Sequence, residues 1–219
     1  MKEENIKISA INFPNYKIDR ISSYLSHDTV HKEVIDSNLI EIISNDLINI
    51  CGNKIKMLDN REPKDDMWTY NDVDYLFDTT AKFLTTELAK KQNANYLIMC
   101  APSKDRTPQY LFNGNHEKYT GEKIISASSC TTNCIVPFLK LIDEKYQIES
   151  SNFLTVHSAT ASQNVIDGVH LKNRSHRSAF NNIIPHTTGA SKSAIKILPN
   201  LEGKLFGSSV RVPTINVSM

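Results

Sequence analysis

The chain has 219 residues, 40% of them hydrophobic and 22% charged, with a formal net charge of +1. That length supports a sizeable core in one large domain or two modest ones, and the near-zero charge gives neither the field of a nucleic-acid binder nor that of a protein held on an anionic membrane. No apolar run reaches about 18 residues, so no membrane span is expected, and the charged opening MKEENIKIS lacks an apolar signal core, so a cytoplasmic location is expected.

Taken in order, IKISAI at 6–11 alternates apolar and polar residues as a half-buried strand does. KIDRISSYL at 17–25 fits a short amphipathic helix. INICGNKIKML at 48–58 reads as a hairpin turning near Gly52-Asn53. DYLF at 74–77 is a short strand, and Thr79 or Thr80 can cap a helix running to about Asn93, with Phe83, Leu84 and Leu88 on one face. NYLIMC at 95–100 and KIIS at 123–126 are further strands. FLTVHS at 153–158 is a later strand, SKSAIKIL at 191–198 a helix after Gly189, and SSVRVPTINVSM alternates like a strand. Strand, helix and strand in succession point to an α/β architecture with parallel strands.

The stretch SASSCTTNC at 126–134 carries the chemistry. Four cysteines in a chain of this size suggest reduced thiols rather than a disulfide framework. Ser129 is a fitting N-cap, which puts Cys130 in the first turn of a helix. There the macrodipole and the free N–H groups stabilise a thiolate, and the same groups can hold a developing oxyanion. Cys130 otherwise reads as a small core residue. Cys134, one turn on, reads as a packing residue, because no second ligand pair has zinc-like spacing and no metal site is expected. A thiol nucleophile needs a base. His157, in TVHSAT, can supply one if a strand–helix–strand crossover sets the strands before and after the helix side by side; otherwise it is a structural histidine.

SASSCTTNC, TVHSATASQ, IIPHTTGASKS and VRVPTINVS, in that order and spacing, resemble the glyceraldehyde-3-phosphate dehydrogenase family. WTYNDVDYLFDTTAKF, CAPSKD and NHEKY are similar to it as well, so the resemblance runs from about Ser26 to Met219. It implies an α/β protein: a degenerate Rossmann-like parallel sheet over 1–129, followed by a truncated α+β catalytic domain over 130–219. It also implies that Cys130 attacks an aldehyde, that His157 activates the thiol and takes the proton as hydride leaves to NAD, and that phosphate cleaves the resulting thioester. The partners it implies are a small phosphorylated aldehyde and inorganic phosphate, and a homo- or hetero-oligomer. Two anion pockets would be built from Ser129, Thr131, Thr160, Thr188, Gly189 and Arg211. Hydroxyls, backbone N–H groups and a guanidinium fork suit phosphate oxygens, and Gly189 lets the backbone approach an anion at a helix start. The loop NVIDGVHLKNRSHRSAFNN at 164–182 resembles the family's loop to a neighbouring subunit, with Arg174 and Arg177 near its arginines.

Three features depart from the family. INFPNYKIDR stands where a G-x-G-x-x-G turn is expected, with Pro14, Tyr16 and Asp19 in place of glycines that would touch a pyrophosphate. SHDTVHKEV follows it at once, so the second strand and its ribose-binding acidic residue are expected to be deleted, and Ala81 replaces a glycine near the cofactor. The family also continues past VRVPTINVS, so the last strand is expected to have unpaired edges. NAD-dependent activity is then expected to be weak or lost. The alternative is a non-catalytic remnant that acts as a thiol sensor or as a partner subunit of a complete homologue.

Overall fold

The computed structural model describes residues 6–64, 67–68, 72–169 and 173–219. Two compact units emerge: Met1–Asp78 with Thr85–Ile98, and Thr79–Leu84 with Met99–Met219.

In the first unit, β1 (Ala10–Asn12) runs parallel to β6 (Asn53–Leu58), with Ala10 opposite Lys56. An antiparallel meander of β4 (Ile40–Ser44), β5 (Leu47–Ile50) and β6 completes a mixed sheet of order β1-β6-β5-β4. Cys51 and Gly52 turn the β5–β6 hairpin, with φ of 50° and 87°. Two successive positive φ values are what a two-residue hairpin demands, and the turn lies one residue ahead of its expected place. A 3-10 turn at Ile18–Arg20 leads into α1 (Ile21–Ser26). Ile21 packs with Ile48, Ile55 and Met57 as this unit's core. A small hairpin of β2 (His27–Asp28) and β3 (Lys32–Glu33) follows α1. Further along, β7 (Tyr75–Asp78) neighbours β8 (Tyr96–Met99).

Two expectations need correction here. The strand expected at 6–11 begins only at Ala10. The helix expected from Thr79 or Thr80 to Asn93 shrinks to α2 (Thr86–Lys90). Its cap is Thr85, whose Oγ1 accepts from the Leu88 N–H at 3.2 Å. Upstream, the Thr80 hydroxyl takes the Lys82 N–H in a local turn, and Ala81 sits at φ 54°. A left-handed residue cannot continue a right-handed helix, and a threonine turn competes with one.

The second unit holds β9 (Ile124–Ser126), α3 (Cys130–Tyr146), β10 (Ser151–Ser158), β11 (Ile184–His186), α4 (Ala190–Ile197) and β12 (Leu205–Val212). Apolar residues of α3 and α4 (Val136, Leu139, Ala194, Ile197) pack with Leu111, Leu201 and Leu205 as its core. The sheet order is β10-β12-β11. β10 and β12 are parallel over their full length, Ser151 opposite Leu205 through Ser158 opposite Val212. Phe153 lies opposite Gly207, and a Cβ there would run into the Phe153 ring.

The crossover expected to join the strands on either side of α3 is not what the chain makes: β9 and β10 lie in different sheets, and the parallel partner of β10 is β12. Nor is the last strand unpaired. β12 is central, with β11 antiparallel on its other side. Beyond it the chain turns back, and Val156 and Met219 exchange N–H···O bonds of 2.7 and 3.0 Å along β10. Among the described residues no helix is long and apolar enough to cross a membrane.

Candidate active site

Cys130 is the first residue of α3, as the capping pattern predicts. Ser129 is extended at φ −110° and its hydroxyl accepts the Thr132 N–H at 3.1 Å. The Asn133 amide donates to the Ala127 and Ser129 carbonyls at 2.8 and 2.9 Å, tying the turn to the helix. The first-turn N–H groups of Cys130 and Thr131 have no acceptor within the helix, so they stand as donors beside an exposed thiol. Ser128 takes φ 61°, and its buried hydroxyl has no partner. That strained, left-handed serine aims the chain from β9 into α3, and nothing in its sequence context signals it.

His157 sits one residue before the end of β10, with Nε2 3.5 Å from Cys130 Sγ. The parallel register places Arg211 of β12 directly opposite His157. Arg211 Nη1 lies 2.9 Å from His157 Nδ1, and it donates to the Ser158 carbonyl at 3.0 Å and to Thr160 Oγ1 at 3.2 Å. His157 Nδ1 is also 2.8 Å from the Ser158 carbonyl. Burial pushes the guanidinium below its usual pKa, and the Cys130 thiol beside it acts in the opposite sense. Arg211 Nε is buried without a partner. Gln163, absent from the sequence reading, holds Thr160 by accepting its N–H at 3.2 Å. A cavity of about 450 Å³ opens beside the thiol, lined by Cys130, Thr131, Cys134, Ile135, His157 and Met219 among others.

Four of the expected site residues therefore meet: Cys130, His157, Thr160 and Arg211. Ser129 caps the helix that carries the thiol, and Thr131 lines the cavity. Thr188 and Gly189 are at the start of α4, where Thr188 Oγ1 accepts the Ala190 N–H at 3.1 Å. Among the described residues no hydrogen bond joins these two to Arg211 or Cys130. Gly189 has φ −91° and open space around its Cα, so the local backbone does not itself require glycine. In the loop 164–182, Arg177 pairs with Asp167 at 2.8 Å and Arg174 is exposed in a 3-10 turn; 170–172 lie outside the described residues.

Residues 129–219 match the family described as glyceraldehyde 3-phosphate dehydrogenase, C-terminal domain. The glyceraldehyde-3-phosphate dehydrogenase of Eremothecium gossypii is 38% identical over 223 positions, that of Buchnera aphidicola subsp. Schizaphis graminum 40% over 225, and glyceraldehyde-3-phosphate dehydrogenase A of Escherichia coli K12 39% over 222. Each comparison covers 100% of this chain and 66% of the relative. Alignments of 222 to 225 positions for 219 residues leave no room for a strand lost from within the chain. The expected internal deletion is therefore wrong. INFPNYKIDR belongs just ahead of SHDTVHKEV, as it stands, and not at a glycine turn. With relatives 38 to 40% identical over the whole chain and a family model matched over 129–219, this protein belongs to the glyceraldehyde-3-phosphate dehydrogenase family.

Proposed function

We propose that Cys130 is a nucleophile toward the carbonyl carbon of a small phosphorylated aldehyde, and that His157 takes the thiol proton as the C–S bond forms. The observation that carries this is the 3.5 Å approach of Cys130 Sγ to His157 Nε2 at a helix start. Attack forms the C–S bond of a hemithioacetal, and the unpaired N–H groups of Cys130 and Thr131 can hold the oxyanion that develops. Arg211 and Thr160 take one phosphate group. Ser129, Thr131, Thr188 and Gly189 are assigned to a second anion, inorganic phosphate. This chemistry belongs to residues 130–219; residues 1–129 are the dinucleotide half by family relation. Apolar Leu154 and Phe206, 53% and 59% exposed on one face of the sheet, fit assembly with further copies or with a complete relative.

NAD is the hydride acceptor that family membership implies, but the residues present do not fit it. None of the seven glycines forms a G-x-G-x-x-G turn. We therefore assign no hydride step to these 219 residues. A hemithioacetal with no positioned acceptor returns to aldehyde and thiol.

Iodoacetamide labelling of the native protein, read by mass spectrometry, tests the nucleophile. Cys130 is expected to react well ahead of Cys51, Cys100 and Cys134, and His157→Gln is expected to remove that lead. Equal labelling of all four thiols would sink the proposal. A rise of NADH absorbance with aldehyde, NAD and phosphate, abolished by Cys130→Ser, would overturn the assignment of no hydride step.

A further inference from the structure

The cavity beside the thiol and the group around Arg211 meet His157 differently. Arg211 Nη1 approaches the ring at Nδ1, 2.9 Å away, and Cys130 Sγ approaches it at Nε2, 3.5 Å away. The cavity of about 450 Å³ opens at Cys130 and His157, and neither Arg211 nor Thr160 lines it. Three stretches of chain build its walls. On α3, Cys130 and Cys134 stand one turn apart, with Ile135 beside them. On β10 the lining runs from His157 back to Phe153, which at the rise of an extended chain is about 13 Å. The third wall is residues 216–219, held along β10 by the N–H···O bonds of 2.7 and 3.0 Å between Val156 and Met219.

Among the described residues, no lysine, arginine, aspartate or glutamate lines this cavity. A phosphate group placed in it would give up water and meet no cation, which is a costly burial. Ile135, Phe153, Val217 and Met219 offer apolar surface instead, and a methylene chain laid on them leaves water with a gain. One approach to the thiol therefore suits an anion, and the other suits an uncharged chain. We propose that Cys130 also adds to the carbonyl of unphosphorylated aldehydes with an unbranched apolar chain, and that the chain lies in this cavity. Sγ bonds to the carbonyl carbon, the π electrons of the C=O bond move onto its oxygen, and the thiol proton passes by way of His157 Nε2 to that oxygen. The product is a neutral hemithioacetal. Nothing is oxidised, no hydride acceptor takes part, and the adduct reverts to thiol and aldehyde. The protein is then a reversible trap for apolar aldehydes. This rests on the reading of Cys130 as a nucleophile.

The test is protection of Cys130 from iodoacetamide in the native full chain, read by mass spectrometry, with propanal, butanal, pentanal and hexanal as probes. The half-protecting concentration is expected to fall about two- to fourfold with each added methylene. Exposed Cys51 is expected to show no trend with chain length. Hexanol, which has the chain but no carbonyl, is expected to protect Cys130 far less well than hexanal. Ile135→Ser is expected to flatten the trend and to leave protection by propanal as it is. A flat trend in the wild type overturns the proposal, whether or not Ile135→Ser folds. Equal protection by hexanol and hexanal overturns the covalent step. Equal labelling of all four thiols without aldehyde would overturn the nucleophile reading and this proposal with it. Protection by glyceraldehyde 3-phosphate with none by hexanal would overturn this proposal alone.

Discussion

Cys130, His157 and Arg211 meet because α3 starts at the thiol and the parallel register of β10 and β12 sets Arg211 opposite His157; in the sequence they could be picked out only by the family resemblance of their motifs. Ser128 and Gln163 could not. A serine in the left-handed region looks like any other serine, and a glutamine that holds Thr160 has no spacing rule behind it. The Tyr110–Glu122 pair was equally silent, and it has a measurable consequence. Tyr110 Oη donates to Glu122 Oε1 at 2.6 Å, and the Thr120 N–H and hydroxyl reach the same carboxylate at 3.1 and 3.2 Å. The tyrosine bond, as the largest cause, holds the Glu122 carboxyl down at about 2 against an ordinary 4.5, and the same bond pushes Tyr110 up to about 12. A depressed carboxyl contributes stability that is present above its unfolded pKa and is lost as pH falls through its folded one. The stability lead of wild type over Tyr110→Phe should thus be constant between the ordinary glutamate value of 4.5 and the ordinary tyrosine value of 10.0, shrink below 4.5, and vanish near pH 2. Paired urea titrations at pH 7, 4 and 2.5 check this, and a gap that widens toward acid would contradict it.

At the scale of elements, caps and turns decided where sequence reading succeeded. Ser129 and the Cys51-Gly52 turn declare themselves, because a hydroxyl before an apolar run and a glycine between alternating runs each have one strong structural use. The segment 79–93 misled because its apolar period is helical while its backbone is not: Ala81 at φ 54° breaks the run, and Thr85 rather than Thr79 or Thr80 starts the helix. An alanine there bears a left-handed cost of roughly 1–2 kcal/mol that glycine does not, less the roughly 0.4–1 kcal/mol by which glycine loosens the unfolded chain. Ala81→Gly should therefore stabilise the protein by about 0.5–1 kcal/mol, seen as a raised urea midpoint with an unchanged slope. The same exchange at Ala89, buried in α2, should do the reverse and cost about 1 kcal/mol. If both variants lose stability, the left-handed strain at Ala81 is not what sets its energy.

For the whole molecule, the class of fold could be read from the order of strands and helices, but the pairing that builds the site could not. His157 and Arg211 are 54 positions apart and belong to strands joined through β11 and α4. No local pattern states that β10 skips β9 to pair with β12, which is why the expected crossover failed. Beside that pairing, the backbone and a ring come close at Gly207. Phe153, opposite it, lays its ring over the glycine and reaches the apolar core of the second unit. Gly207→Ala puts a methyl group into that ring. The overpacking costs about 1–3 kcal/mol, against a backbone gain of about 0.5–1 kcal/mol, so a net loss of about 1–2 kcal/mol is expected. Four residues along the same two strands, the displacement should also spoil the approach of His157 to Cys130 and slow Cys130 labelling more than labelling of Cys51. In a Phe153→Leu background the ring is gone, so adding Gly207→Ala should then cost nothing or stabilise slightly, and labelling should not slow further. A double-mutant cycle measures this directly. A coupling energy near zero would mean that the Phe153–Gly207 contact does not hold the register, and that the thiol and imidazole are kept together by α3 and the return of 216–219 along β10 instead.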